Sequence, residues 1–312
     1  MRIAIDIMGG DYAPEATTLG AILADQELPP HSRLVLIGDE PQIRAILERE
    51  KVDADRFDIV HTSQVITMHD HPTKAMRSKP DSSILKGFEL LRTGEIDALA
   101  SAGNTGAMLV GAMYTVRSIP GIIRPCITTV MPRENGGVGI ILDVGINADC
   151  KPDVLYQFGI LGSLYAEHVH GIANPRVGLL NIGEEEEKGN LLSQATHQLM
   201  KGTNDFNFVG NVEGRDLFSE DVDVIVCDGF TGNVMLKEAE AFYTMIKRRG
   251  ISDAFFDRFN YENYGGTPVL GVNSNVVIGH GISNATAIKN MLLLTTEVVG
   301  ANLPQKINEA FN

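Results

Sequence analysis

The chain has 312 residues, 44% of them hydrophobic, a formal net charge of −14 and three cysteines. That is enough apolar sequence to bury a sizeable core, as one large or two modest domains. The acidic balance and the absence of tryptophan exclude nucleic-acid binding built on a basic field or on base stacking.

Strand-like and helix-like segments alternate along the chain. A strand over residues 2–8 leads into a helix over 16–24, and strands over 34–37 and 57–60 flank a helix over 41–50. A helix over 82–91 precedes a strand over 98–101 and a helix over 107–116. Adjacent strands over 127–131 and 138–142 come next, then a helix over 152–168 with Pro152 at its first position, where a missing N–H is tolerated. A strand over 177–181, a helix over 190–200, strands over 206–209 and 222–227 and a helix over 234–249 continue the pattern. It closes with a strand over 276–278 and a helix over 283–299. Several strands are continuous apolar runs, as strands covered on both faces are. The order predicts an α/β fold with an open, largely parallel sheet and helices on both faces. We expect a single domain over 1–312 with a short helical hairpin at about 234–262. The loop 132–137 is either a subdomain boundary or the turn of a hairpin.

No window approaches the roughly 18 uninterrupted apolar residues of a membrane span, and Met1-Arg2 leads directly into a strand rather than a signal peptide. Cys126, Cys150 and Cys227 are isolated and form neither a zinc nor a disulfide pattern. The expectation is a cytoplasmic protein, with peripheral contact at the inner face of the membrane, and no cofactor or metal.

Ligands of open α/β sheets gather beyond the carboxyl ends of the strands. The first strand delivers Asp6, Gly9, Gly10 and Asp11. The glycines permit close backbone approach and the carboxylates could take up protons, although Asp11 is equally a candidate cap for the following helix. Ser101-Ala-Gly-Asn-Thr-Gly106 and Asp228-Gly-Phe-Thr-Gly-Asn233 are glycine-bearing corners between a strand and a helix. Free N–H groups and the positive end of a helix dipole favour an anion there, a phosphate above all, though such corners also serve as plain turns. Asp143-Val-Gly-Ile-Asn147 follows another strand, and Gly183 with Glu184 to Glu187 follows the strand over 177–181. The glutamates are most simply a solvated turn. Lys188-Gly189-Asn190 comes next, and a lysine at a helix start is unfavourable unless an anion sits beside it; otherwise it is a surface lysine.

Together these stretches resemble one family. Asp6-Ile-Met-Gly-Gly-Asp-Tyr-Ala-Pro14, Ser101-Ala-Gly-Asn-Thr-Gly-Ala107, Leu142-Asp-Val-Gly-Ile-Asn147 with Lys151-Pro152, and Asn181-Ile-Gly183 are similar to motifs of the bacterial phosphate acyltransferases. Lys188-Gly-Asn190, Gly210-Asn-Val-Glu213, Asp228-Gly-Phe-Thr-Gly-Asn-Val234, Tyr264-Gly-Gly266 and His280-Gly281 continue the likeness, in order, over nearly the whole chain. The resemblance implies a fold related to phosphotransacetylases and to isocitrate and isopropylmalate dehydrogenases, and a homodimer. It further implies transfer of an acyl group from acyl-acyl-carrier-protein to inorganic phosphate, giving acyl-phosphate for phospholipid synthesis. The nearest rivals are a phosphotransacetylase-like enzyme using acyl-CoA and an inactive acyl- or phosphate-binding homologue. A dehydrogenase is disfavoured, because no GxGxxG follows the first strand and Asp6 with Asp11 makes a poor metal site.

In that chemistry phosphate must be held and aimed, and the thioester oxygen needs donors as it becomes negative. No serine or cysteine lies in a GxSxG elbow, which favours direct attack. On these grounds Lys188 is expected to bind and orient phosphate. Asn233, with backbone N–H groups of the 229–233 turn, is expected to stabilise the oxyanion, the alternative for Asn233 being a helix cap. Ser101, Gly103, Asn104, Thr105 and Gly106 supply further phosphate contacts, and Asp6, Gly9, Gly10 and Asp11 shape the floor. Asp143, Asn147, Asn190, Asp228, Gly229, Thr231 and Gly232 complete the expected binding set.

The chain departs from the family pattern in places. Leu191 stands where an acidic residue is usual, and Ile282 and Asn284 where a serine and an aspartate are. His280 is therefore read as structural. Only about 30 residues separate Asn233 from Tyr264, fewer than in members whose helical tips touch the membrane. That stretch contains Lys247-Arg-Arg249 and Phe255-Phe256, which either bind a surface weakly or, for the aromatics, pack inwards. Lys74, Arg77, Lys79 and Lys86, or else Lys247, Arg248 and Arg249, are the clusters able to face an acidic carrier, unless they are scattered solvating charges.

Overall fold

The computed structural model describes residues 1–312. Its strands are β1 (Arg2–Asp6), β2 (Arg33–Gly38), β3 (Asp58–His61), β4 (Ala98–Ser101), β5 (Cys126–Pro132), β6 (Val138–Leu142), β7 (Arg176–Leu180), β8 (Asn207–Val212), β9 (Val224–Val226), β10 (Gly266–Leu270) and β11 (Asn275–Gly279). Its α-helices are α1 (Glu15–Asp25), α2 (Glu40–Arg49), α3 (Pro72–Ser78), α4 (Ser83–Thr93), α5 (Thr105–Gly111), α6 (Pro152–His168), α7 (Leu191–Met200), α8 (Gly229–Arg248), α9 (Ala285–Gly300) and α10 (Leu303–Phe311). Where the sequence predicts one domain, the chain divides into two compact units, Met1–Ser118 with Tyr261–Pro304 and Ile119–Asn260 with Gln305–Asn312. Each is completed by a segment returning from far along the chain, which composition does not signal.

In the first unit the strand order is β3-β2-β1-β4-β11-β10, parallel except for the antiparallel pair β10–β11. Ile3, Ile5, Leu34, Leu36, Ile288 and Leu292 belong to one buried cluster, and β4 is buried along its whole length. Gly20 lets α1 lie directly on α9, since a Cβ there would overlap Ile288. In the second unit the order is β5-β6-β9-β7-β8, parallel except for β5–β6. Met131, Ile141, Val212, Leu217, Val222 and Ile225 form a core cluster there. The expected α/β architecture, largely parallel sheet with helices, is the one observed, because the continuous apolar runs are buried strands.

Several local expectations change. The loop 132–137 is the turn of the β5–β6 hairpin, Pro132 pairing with Val138, and Arg133 is buried against Asp223 at 2.8 Å. Strand β10 escapes the pattern because Gly265, Gly266 and Pro268 interrupt its apolar run. The helix expected over 107–116 is α5 followed by a π-helical turn at Ala112–Val116. The helix expected from 234 begins at Gly229, so the 229–233 stretch is its first turn. The helical hairpin at about 234–262 is instead α8 followed by tight 3-10 turns at Phe256–Phe259 and Tyr261–Asn263. Gly250, at φ +69°, follows the end of α8, and the Asp253 carboxylate then takes the N–H of Phe255 at 2.8 Å, favouring a turn over a second helix. Phe255 and Phe256 pack inwards as a cluster with Phe259 and Phe218, with ring centroids 5.4 Å apart for Phe255–Phe259 and 5.2 Å for Phe218–Phe259.

Candidate functional site

The expected site residues fall into two groups, one in each unit. In the first unit Asp6 ends β1 and is buried. Its Oδ2 accepts the Ser101 hydroxyl at 2.7 Å, its Oδ1 accepts the Met8 N–H at 3.1 Å, and Ser101 Oγ accepts the Gly103 N–H at 2.9 Å. Glycines are required against this carboxyl, because a Cβ on Gly103 would come within 3.0 Å of Asp6 Oδ2 and one on Gly9 within 2.8 Å of the Gly103 nitrogen. Asp6 and Ser101 thus tie the ends of β1 and β4 together beneath a glycine floor. Gly10, at φ +108°, turns the chain towards Asp11, whose N–H donates to Gly281 at 2.8 Å. Asp11 is exposed and does not cap α1, whose N-cap position is Pro14, without a side-chain cap.

Asn104 is a correction. Its Oδ1 caps α5 by accepting the Ala107 N–H at 2.9 Å, and its Nδ2 donates to the carbonyls of Thr67 and Asp70 at 2.9 and 3.0 Å. Both ends of the amide are engaged within the protein, so its side chain is not a phosphate donor. Thr105, the first residue of α5, is exposed, and Gly106 admits Pro72 of α3.

Burial pushes the Asp6 carboxyl above its usual range, against the opposing pull of its hydroxyl and N–H donors. A carboxyl raised in this way holds its proton more tightly folded than unfolded. Its contribution to stability is full below the unfolded value and is lost as pH rises through the folded one. Asp6→Asn removes that titration at constant size. Its melting temperature, relative to the parent, should climb as pH rises above the usual carboxylate range of about 4; two parallel stability curves would show that Asp6 does not titrate in this way.

In the second unit Asp143 is buried at the end of β6, where Oδ2 accepts the Asn147 N–H at 2.6 Å and Asn147 Nδ2 at 2.9 Å. Oδ1 accepts the Ile127 N–H at 3.2 Å, and Asn147 Nδ2 also donates to Pro125 at 2.8 Å. Burial raises the Asp143 carboxyl, opposed by these bonds. Asp143 and Asn147 therefore brace the start of α8 rather than reach a ligand. A Cβ on Gly229 would come within 2.7 Å of Asp143 Oδ2, and one on Gly232 would overlap the Asp143 carbonyl.

Asp228 caps α8, its Oδ1 accepting the Thr231 N–H and its Oδ2 the Thr231 hydroxyl, both at 2.8 Å. The Gly229 N–H donates to Asn147 at 2.7 Å and the Gly232 N–H to Asp228 at 3.0 Å. Three backbone donors expected for an oxyanion are thus spent on closing the helix and holding the neighbouring loop. Asn233 is not the cap; it is exposed in the second turn of α8, on the side of Gly145, whose ideal Cβ would lie 3.7 Å from Asn233 Oδ1.

Lys188 is exposed, and its backbone is pinned: its N–H donates to Glu185 and its carbonyl accepts from Asn181 Nδ2, both at 3.1 Å. Its ammonium forms no ion pair although four glutamates precede it. Glu184 and Glu186 are taken by Arg215 and Lys201, at 3.1 and 2.7 Å. Asn190 caps α7 by accepting the Ser193 N–H at 2.9 Å.

A cleft of about 630 Å³ opens where the N-termini of α7 and α8 meet the carboxyl ends of β7 and β9. Gly189 and Asn190, next to Lys188, line it, as do Asp228 and Thr231. Sequence reasoning missed its apolar walls, among them Leu155, Leu179, Leu192 and Met235. The helical spacing of Asp228, Thr231, Met235 and Glu238 is the one signal that places Met235 beside the corner. Asn233 is not part of this lining.

The family model described as "fatty acid synthesis protein" matches residues 1–306. A phosphate acyltransferase from Dictyoglomus turgidum is 42% identical over 340 residues, covering 100% of this chain and 98% of that protein. One from Pelotomaculum thermopropionicum is 45% identical over 330 residues, covering 99% of this chain and 95% of that protein. Among solved structures, a phosphotransacetylase from Streptococcus pyogenes has a TM-score of 0.68 at 17% identity, covering 96% of this chain and 94% of that one, a likeness of fold alone. With the ordered motifs and these full-length likenesses in agreement, the chain belongs to the fatty acid synthesis protein family of phosphate acyltransferases, and it is an acyltransferase.

Proposed function

We propose that this protein moves a fatty acyl group from acyl-acyl-carrier-protein to inorganic phosphate, giving an acyl-phosphate for phospholipid synthesis. The observation that carries this is Lys188, an unpaired cation on a pinned backbone just before the N-terminus of α7, in a chain of the phosphate acyltransferase family. A phosphate oxygen bonds to the thioester carbonyl carbon, the carbon–sulfur bond breaks, and the proton of HPO₄²⁻ passes to the departing thiolate. The products are acyl-phosphate and the free carrier thiol. Lys188 holds phosphate, aiming it within about 3–3.5 Å of the carbonyl carbon, and the Asn233 carboxamide donates to the oxyanion.

Direct attack suits the cysteines. Cys126 and Cys227 are buried, and burial pushes both thiols well above their ordinary range. Burial also pushes Cys150 up to about 12, so none is a thiolate ready to form an acyl-enzyme near neutral pH.

Incubation with palmitoyl carrier protein should consume thioester only when inorganic phosphate is present, and should yield a hydroxylamine-reactive product. Release of free fatty acid at the same rate without phosphate would make the protein a thioesterase. Turnover of palmitoyl-CoA in place of the carrier thioester would make it phosphotransacetylase-like.

Carrier docking falls to unpaired cations. Lys79 is held by Asp70 at 2.6 Å and Lys86 by Glu89 at 2.7 Å, which leaves Lys74 and Arg77 of the first cluster for an acidic carrier. The exposed Phe230, Val234, Phe242 and Met245 of α8 offer a surface to a second copy, in keeping with a homodimer.

No helix is long and apolar enough to cross a membrane. Lys247 is paired with Asp257 at 2.9 Å, so peripheral contact falls to Arg248 and Arg249, each contributing on the order of 1 kcal/mol near an anionic surface. Flotation with anionic vesicles should show weak binding that disappears at high salt. Binding that survives high salt would mean that apolar side chains such as Phe242 and Met245 insert.

A further inference from the structure

We infer that the cleft between α7 and α8 holds the fatty acyl chain, with Leu192 and Met235 setting the chain length it accepts; this rests on the acyl-transfer function proposed above. The floor is apolar: Leu155 and Leu179 are 2% and 1% exposed, and Leu192 and Met235 face the space from opposite helices. Several of the polar atoms around it are tied up within the protein. Asn181 donates to the Lys188 carbonyl and accepts the Ile182 N–H at 2.9 Å. Asn190 and Asp228 accept the N–H groups of Ser193 and Thr231, and the Ser193 hydroxyl donates to the Asn190 carbonyl at 3.1 Å. An alkyl chain needs no donor or acceptor, and the apolar walls formed by Leu155, Leu179, Leu192 and Met235 suit it.

The rim is a separate observation. Leu191 is 88% exposed and Ile182 79%, the two most exposed large apolar side chains of the chain; Ile182 lines the cleft, and Leu191 lies in sequence between Asn190 and Leu192, which line it too. Apolar surface gathered at an opening gains most from an apolar ligand that displaces its water. The Glu238 carboxylate on the α8 wall disfavours an anion inside, so phosphate stays outside with Lys188. Lys188 adjoins Gly189 of the lining, which places the carbonyl end of a bound chain next to that phosphate.

The test compares kcat/KM for palmitoyl and hexanoyl thioesters of one carrier. Met235→Trp, which narrows the cleft, should lower the palmitoyl-to-hexanoyl ratio at least about tenfold, and Met235→Ala should raise it. Leu192→Trp repeats the test from the other wall should the first variant fold poorly. An unchanged ratio, or equal loss for both chain lengths, overturns the assignment. Binding of the fluorescent fatty acid cis-parinaric acid to the full chain needs no turnover, and Met235→Trp should weaken it in parallel. If the parent binds the probe in this Met235-dependent way yet shows no phosphate-dependent turnover, the cleft stands and the proposed function fails. If turnover is present and both readouts ignore Met235 and Leu192, the function stands and the cleft assignment fails.

Discussion

Lys188→Ala should raise the phosphate concentration needed for half-maximal rate by about 10–100-fold. A hydrogen bond to a charged group contributes about 1.5–3 kcal/mol, and each 1.4 kcal/mol is about tenfold in an equilibrium. The side chain is exposed and its ammonium has no protein partner, so the substitution removes nothing that holds the fold. The pinned backbone of residue 188, between the Glu185 carbonyl and the Asn181 amide, stays as it is. The KM for the acyl thioester should move far less than that for phosphate. Lys188→Arg keeps the charge and should recover part of the loss. An unaltered phosphate dependence in a folded Lys188→Ala protein would place the anion site at another corner.

Asn233→Ala should lower kcat by about 10²–10³-fold, the cost of losing an oxyanion donor, with little change in the KM for phosphate. The structure sharpens this test. Since Asp228, not Asn233, caps α8, removing the Asn233 carboxamide leaves the first helical turn closed. The stability change should stay within about 0.5 kcal/mol, as for an exposed position without a cap or brace. A large drop in melting temperature with proportionate loss of rate would mark a structural role. A normal kcat in a stable variant would mean that the oxyanion is served by other donors.

Which parts of the fold could be read in advance follows from how each element is stabilised. Strands β1, β2 and β4 are continuous apolar runs because they are buried, and α6 announces its start with Pro152. Strand β10 has its place decided by pairing with β11 rather than by its own interrupted composition. The helical spacing starts α8 at Val234, five residues late, because Gly229-Phe-Thr-Gly232 has the composition of a loop. What makes it helical is the Asp228 cap, together with the close seat that two glycines allow on the Asp143 loop.

The order of apolar runs, the glycine corners and the motifs between them determined the α/β class and the family by sequence alone, because those signals are local and survive without knowing which segments meet. Whether a given polar side chain serves a ligand or the protein was decided only by tertiary structure. Asn104 and Lys188 both read as phosphate donors in the sequence. The fold brings the carbonyls of Thr67 and Asp70 to the amide of Asn104, and brings no partner to the ammonium of Lys188. The same distinction separates Asp143, spent on Ile127 and Asn147, from the exposed Asn233. A hydrogen bond is made or left open according to what another segment places within about 3 Å, and in a parallel sheet that segment arrives from far along the chain.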